Sequence, residues 1–367
     1  MDLLENRKKA YLLLEDGTVY EGVSIGMEGT SIGEVVFTTG MTAYEETLTD
    51  PSYYGQIITQ TFPLVGNYGI NFEDVESEWV YAKGYIVREC CEHPSNFRCS
   101  HTLDWFLKKQ NVIGIAHIDT RALTRRIREQ GVMNGAITTE EALQKKEALL
   151  EQIRSFSIRD AVKNVTISGP KVYHCENPRF RVALYDFGYK RNIRRSLLNR
   201  HCEVTILPAR MPVAQVKEMG FDGIMLSNGP GDPAEAVEII ENLKGLPALR
   251  IPVFGICLGH QLLALAHGGK TAKLKYGHRG ANQPVIDLES GRTYVTSQNH
   301  GYEVLGNTLP TGEVTHLNAN DRSCEGVRYG ENMFTVQFHP EACGGPTDTS
   351  FLFNRFVEQM KCRKEGC

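Results

Sequence analysis

Cys257 is the residue around which a reaction could be built. It follows the apolar run Ile251–Ile256 directly and stands at the head of a helical stretch, Leu258–His267, with Gly255 and Gly259 two positions away on either side. A strand that turns at once into a helix exposes the side chain at the bend on the carboxyl edge of a sheet. It needs small neighbours there because the backbone packs tightly on both sides. The helix N-terminus behind such a cysteine adds positive partial charge and favours the thiolate. A cysteine nucleophile also needs a histidine, itself oriented by a third group. His339-Pro340-Glu341, after the strand-like run Met333–Phe338, offers both. The histidine lies so far downstream that the pairing must be spatial, and Glu341 can fix the imidazole tautomer and stabilise the imidazolium. Oxyanion donors are the remaining requirement. The rigid turn Ser227-Asn228-Gly229-Pro230-Gly231-Asp232-Pro233, just past a strand, can aim backbone N–H groups at the strand ends, and the N–H of Leu258 is the natural second donor. His260, His267 and His300 read as structural histidines.

The elements that must hold these residues alternate regularly. Strand-like runs at 181–186, 203–207, 223–227 and 252–256 are separated by helical stretches at 190–200, 213–218 and 234–243, and 258–267 follows the last of them. This alternation predicts a mostly parallel sheet with helices on both faces, whose ligands bind beyond the carboxyl ends of the strands. The first half has a different texture. Two apolar runs meet across Asp16-Gly17, the signal of a tight hairpin, and β-rich runs follow at 33–39, 56–62 and 84–88. Helices are expected at 100–110, at 120–130 behind an Asp-Thr cap, and over the charged stretch 140–156. The fold class expected is therefore α/β and α+β: a β-rich amino-terminal domain over 1–164, a linker over 165–180, and an α/β domain over 181–367.

Bulk properties exclude several classes. With 41% hydrophobic and 23% charged residues and a net charge of −4, the 367-residue chain reads as a soluble two-domain protein without a nucleic-acid or acidic-membrane partner. The amino terminus does not read as a signal peptide, and no apolar run approaches a membrane span, so a cytoplasmic location is expected. Ten cysteines are scattered without a Cys-x-x-Cys pair, which argues for reduced thiols and against a zinc site. No phosphate loop and no metal-ligand cluster is visible, so neither ATP nor a metal is expected on this chain.

The three segments Ser227–Pro233, Gly255-Ile256-Cys257-Leu258-Gly259-His260-Gln261 and His339-Pro340-Glu341 together resemble the class I (triad) glutamine amidotransferases. The resemblance implies that Cys257, His339 and Glu341 are catalytic and that the N–H groups of Gly229 and Leu258 form the oxyanion hole. It further implies that Gln261, Gly231, Asn299, Gly301 and Tyr302 help to hold glutamine, although phenylalanine is common where Tyr302 stands. The first half narrows the resemblance. Gly33–Phe37, Met41–Tyr44, Leu48–Tyr53, Gly66–Gly69 and Ile118–Arg125, with Tyr185–Ile193 later on, are similar to carbamoyl-phosphate synthase small subunits. By that resemblance Ser52 reaches the glutamine from the first domain. The resemblance also implies a large synthetase subunit that carries the ATP, bicarbonate and Mg chemistry, in a heterodimer or a higher assembly of heterodimers. Ammonia would be channelled to it for pyrimidine or arginine biosynthesis. A different amidotransferase subunit would lack this first half, and a catalytically silent homologue would show a broken triad.

Overall fold

The computed structural model describes residues 7–139 and 146–366, and the chain divides into two compact units, Met1–Arg159 and Asp160–Cys367. The first unit contains β1 (Lys9–Leu14), β2 (Val19–Gly26), β3 (Thr30–Thr38), β4 (Gln56–Gln60), β5 (Leu64–Val65), β6 (Gly84–Ile86), β7 (Glu89–Cys90), β8 (Ile113–Ala116) and β9 (Met133–Thr138). The Asp16-Gly17 signal produces the expected hairpin. Gly17 turns with φ +86°, the Thr18 N–H donates to Asp16 Oδ1 at 2.9 Å, and Leu13 pairs with Val19.

Seven of these strands close into a barrel in the order β1-β2-β8-β6-β4-β3-β9, with β1 paired back onto β9 through Leu13 and Ala136, while β5 and β7 pair with each other. Closure removes the exposed edges that an open β-rich sheet would present. The helix Leu103–Lys109 is capped by Thr102, and Thr120–Gln130 by Asp119, whose Oδ1 accepts from the Ala122 N–H at 2.9 Å. Part of the helix expected over 140–156 lies outside the described residues. Its described part, Lys146–Ser155, buries Leu149, Leu150 and Ile153 against Leu13 and Ala136.

The second unit holds β10 (Lys171–Tyr173), β11 (Phe180–Asp186), β12 (Cys202–Pro208), β13 (Gly223–Leu226), β14 (Val253–Ile256), β15 (Thr271–Asp287), β16 (Thr293–Val304), β17 (Glu313–Asn318), β18 (Cys324–Arg328) and β19 (Met333–Val336). They form one sheet in the order β10-β12-β11-β13-β14-β19-β18-β16-β15-β17. Strands β12, β11, β13, β14 and β19 are parallel, and the remainder run antiparallel. Period-2 alternation distributes the core over both faces. Ala183 and Tyr185 join Leu226, Leu258 and Leu262 on one face, whereas Val182 and Leu184 join Met225, Phe254, Phe353 and Phe356 on the other.

The sequence places a domain boundary after residue 164 and a linker over 165–180. In the structure the contacts divide at Arg159/Asp160, and β10 lies inside 165–180, paired antiparallel with β12. The helix expected over 234–243 begins as a 3₁₀ turn at Pro233–Glu235 and continues as Val237–Leu243. Among the described residues, no helix is long and apolar enough to cross a membrane.

Candidate active site

Strand β14 lies between β13 and β19 in the parallel part of the sheet, and Cys257 is its first residue beyond the carboxyl edge. Its backbone sits at φ 53°, ψ −103°, a sparsely populated conformation, and the helix Leu258–Ala266 begins at the next residue. Such strain costs on the order of 1–3 kcal/mol and persists only where the surroundings over-determine it. Here the Cys257 N–H donates to Val336 O at 2.9 Å and the Gly259 N–H to Ser227 O at 3.0 Å. Gly259 has no room for a side chain, since a Cβ there would lie 2.5 Å from Leu226 O. The elbow thus clamps the start of the helix onto the two neighbouring strands. Cys257 is buried, and its Sγ points at Asn299 O, 3.7 Å away.

His339 and Glu341 follow β19, the strand beside β14, and both are buried. The imidazole Nδ1 is 2.8 Å from Glu341 Oε1, which fixes Nδ1 as the donor. Nε2 has no hydrogen-bond partner among the described residues and is left for proton exchange with a reacting group. The His339 backbone is pinned by donation to Ser297 O at 2.9 Å.

A third charge completes the cluster: Lys190 Nζ lies 2.6 Å from the same Glu341 Oε1. Burial disfavours the Glu341 carboxylate, but Lys190 and then His339 outweigh it and hold the carboxyl down at about 2. Burial and the Lys190 ammonium both oppose charge on His339. Glu341, with Cys257 behind it, reverses them and raises the imidazole to about 10, making it a strong base.

The Ser227–Pro233 turn packs against the segment that leaves β11. Ser227 Oγ accepts from the Phe187 N–H at 2.9 Å and donates to Asn228 O at 2.7 Å. The Asn228 side chain accepts from the Lys190 N–H at 3.0 Å and donates to Gly188 O at 2.9 Å. A Cβ on Gly229 would collide with Phe187 O and lie 2.8 Å from Leu258 Cδ2, so only glycine fits, and Gly229 is seated beside Leu258. Gly231 turns with φ +93°.

The structure brings Cys257, Leu258, Gly229, His339, Glu341 and Asn299 together. Gln261 donates to Tyr302 O at 2.8 Å and to Gln337 Oε1 at 2.9 Å, which ties the helix to β16 and to the segment after β19. Gly301 and Tyr302 continue β16 beside Asn299. Ser52 belongs to the first unit, in the 3₁₀ turn Pro51–Tyr53, where its N–H donates to Asp50 Oδ1 at 2.9 Å. His260 is fully buried with Nδ1 2.8 Å from Thr335 Oγ1, and burial pushes it down to about 3, so it is a neutral core residue.

Sequence reasoning missed Lys190. As a lysine at a helix start it looks solvated, and its signals were its place within the stretch Tyr185–Ile193 and just beyond the carboxyl end of β11, the edge where ligands bind.

A strained cysteine elbow, a His–Glu pair on the adjacent strand and a glycine turn facing the elbow form the layout of a class I glutamine amidotransferase. The glutamine amidotransferase class-I profile matches residues 183–359, and the profile of the carbamoyl-phosphate synthase small chain, CPSase domain, matches residues 12–137. The carbamoyl phosphate synthase small chain of Clostridium perfringens is 48% identical over 95% of this chain and 99% of its own length. That of Listeria monocytogenes is 49% identical over 98% of both chains, and that of Bacillus cereus is 48% identical over the same shares. The chain belongs to the carbamoyl-phosphate synthase small-chain family.

Proposed function

We propose that the chain hydrolyses L-glutamine to glutamate and ammonia through Cys257, and that the ammonia is passed to a large synthetase chain making carbamoyl phosphate from bicarbonate and ATP. The observation that carries this reading is the nucleophile elbow at Cys257 with the buried His339–Glu341 pair on the neighbouring strand. Cys257 Sγ attacks the side-chain carboxamide carbon of glutamine with its proton already held on His339 Nε2. The N–H groups of Leu258 and Gly229 take the charge that develops on the carboxamide oxygen. His339 then protonates the departing nitrogen, the C–N bond breaks, ammonia leaves, and a glutamyl thioester remains on Sγ. Water attacks the thioester with His339 as base, the C–S bond breaks, and glutamate is released with the proton back on Nε2. Glu341 holds the imidazole and balances its charge throughout, and Lys190 keeps Glu341 ionised.

Gln261, Gly231, Asn299, Gly301 and Tyr302 are assigned to glutamine, and Ser52 to the same ligand by resemblance. No cofactor or metal is assigned to this chain. The ATP, bicarbonate and Mg sites are assigned to the large chain, in a cytoplasmic heterodimer or an assembly of heterodimers serving pyrimidine or arginine synthesis.

The test is ammonia release from glutamine by wild type and Cys257→Ala, each with and without the large chain, ATP and bicarbonate. Loss of at least about 10³-fold in the variant, with wild-type hydrolysis rising and carbamoyl phosphate appearing when the partner is added, is the expected result. Equal hydrolysis by Cys257→Ala would remove the nucleophile assignment. Cys257-dependent hydrolysis indifferent to the partner would remove the pathway.

A further inference from the structure

Behind β16 lies a buried polar chain that takes no part in the steps above. Glu325 on β18 is fully buried, and its Oε1 accepts from Asn318 Nδ2 at 3.2 Å. Its Oε2 lies 3.0 Å from the amide nitrogen of Gln298, which is also 3.2 Å from Thr296 Oγ1. Gln298 Oε1 is 3.0 Å from His300 Nε2, and His300 Nδ1 is 2.8 Å from Tyr302 O. Tyr302 O also accepts from Gln261, on the helix that starts at Cys257. The chain therefore runs from a carboxyl group to the backbone of the segment 299–302, whose Asn299 carbonyl meets the Cys257 thiol.

Counting donors restricts where its protons sit. With Gln298 donating to Glu325, both His300 nitrogens face oxygen acceptors, and the ring must then be an imidazolium opposite a carboxylate. A half-turn of the Gln298 amide exchanges its oxygen and nitrogen in place. A protonated Glu325 then donates to Gln298, Gln298 donates to His300 Nε2, and Nδ1–H donates to Tyr302 O, with every group satisfied and no charge buried. The Thr296 hydroxyl, now donating to Gln283 O at 2.9 Å, can swing to the amide oxygen.

The surroundings decide between the two arrangements. The His278 ring stands edge-on to His300 at 5.0 Å, and His278 Nε2 is 2.8 Å from Asp321 Oδ2, with Nδ1 3.7 Å from Glu325 Oε1. His278, Arg279 and the catalytic His339 all act against positive charge on His300; at Glu325 burial outweighs His278 and the Asn318 and Gln298 amides, which favour the carboxylate, and Glu303 repels a second carboxylate beside it. Burial first, then these neighbours, pushes His300 well below the ordinary imidazole range, and burial raises Glu325 above the ordinary carboxylate range. Although a ligand atom from each of His278, His300 and Glu325 lies within 4.8 Å of the others, both His300 nitrogens are already engaged, which argues against a metal there.

We propose that Glu325 is a positioning residue that stays protonated and, through Gln298 and a neutral His300, fixes the Tyr302 carbonyl and with it the glutamine-binding segment 299–302. The inference rests on the glutamine-hydrolase reading of Cys257.

Full-length wild type, Glu325→Gln and Glu325→Leu are assayed for glutamine hydrolysis in the presence of the large chain. The amide can donate to Gln298 as the protonated carboxyl does, so Glu325→Gln keeps its KM within about twofold of wild type. Glu325→Leu leaves the chain without its first donor, and KM rises about tenfold or more while kcat changes less. A wild-type KM in folded Glu325→Leu, or equal damage in both variants, would overturn the proposal. A second measurement needs no variant: ¹⁵N NMR of histidine-labelled wild type at neutral pH. It should show His300 as the neutral Nδ1–H tautomer, and an imidazolium signature would overturn the assignment. Absence of Cys257-dependent hydrolysis in wild type would sink the glutaminase reading instead, and the NMR result would still judge the proton assignment by itself.

Discussion

Glu45 in the first unit and Glu341 in the second are both shut away from solvent, yet they are satisfied by opposite means. Glu45 accepts from the backbone N–H groups of Phe72 at 2.9 Å and Asn71 at 3.1 Å, and burial still raises it above the ordinary carboxylate range. Glu341 is met by Lys190 and His339, and despite complete burial it falls to about 2. Neutral dipoles hold a loop in place without committing the carboxyl to its charged form. Charged partners force ionisation, and ionisation is what an imidazole that must gain and lose a proton requires behind it. The barrel unit uses buried acid to organise its own chain; the open-sheet unit uses it to set the basicity of a side chain.

Replacing each carboxyl by an amide tests that contrast most severely. Glu341→Gln should lower glutaminase kcat by about 100-fold, because the amide oxygen can still accept from the imidazole but no longer supplies the negative charge that stabilises its protonated form. Glu45→Gln should leave kcat unchanged and reduce unfolding free energy by about 1–3 kcal/mol, since one backbone donor loses its acceptor. Steady-state kinetics and denaturant melts on the two variants decide it, and a kinetic defect in folded Glu45→Gln would end the comparison. Lys190→Met should have a smaller effect, about 10-fold on kcat/KM, while Glu341 moves up toward its ordinary 4.5 and the acid limb of the pH–rate profile moves up with it. An unmoved acid limb would show that Lys190 does not set the charge on Glu341.

The smallest effect concerns pH and has opposite signs at Glu341 and at Glu46. A depressed carboxyl stabilises the fold fully above 4.5, and that contribution is lost as pH falls from 4.5 through about 2, which is the case of Glu341. A raised carboxyl stabilises below 4.5 and loses its contribution as pH rises. Burial lifts Glu46 to about 7, so the first unit should weaken between pH 4.5 and 7. Hydrogen exchange resolved by segment across that range is the measurement. Protection of the helix Tyr44–Thr49 that stays flat between pH 4.5 and 7 would contradict the assignment of Glu46.

Much of the second unit was legible because its signals are local. Gly255 and Gly259 around Cys257, and the Gly/Pro turn at 227–233, declare sharp backbone geometry within a few residues. The barrel was not legible as a barrel, since closure depends on Leu13 meeting Ala136, a pairing between the two ends of the unit that no local pattern announces. The long arm of β15 and β16 was missed for another reason. Register shifts between Lys273 and His278 and between Gly280 and Gln283 break the alternation by which a strand is recognised. Lys190 escaped because its meaning comes from Glu341, which is remote in sequence. Cys257, His339 and Glu341 could be singled out as candidates because each follows the end of a strand.

The positive φ at Cys257 gives the proposed chemistry a cost in the protein's own durability. Glycine adopts that conformation freely, so Cys257→Gly should relieve strain that Cys257→Ala would keep. Evolution under heat alone, with no demand for ammonia, would favour that exchange. A library selected only for resistance to melting would therefore tend to discard Cys257, and the residue's persistence in a living lineage would be a record of use.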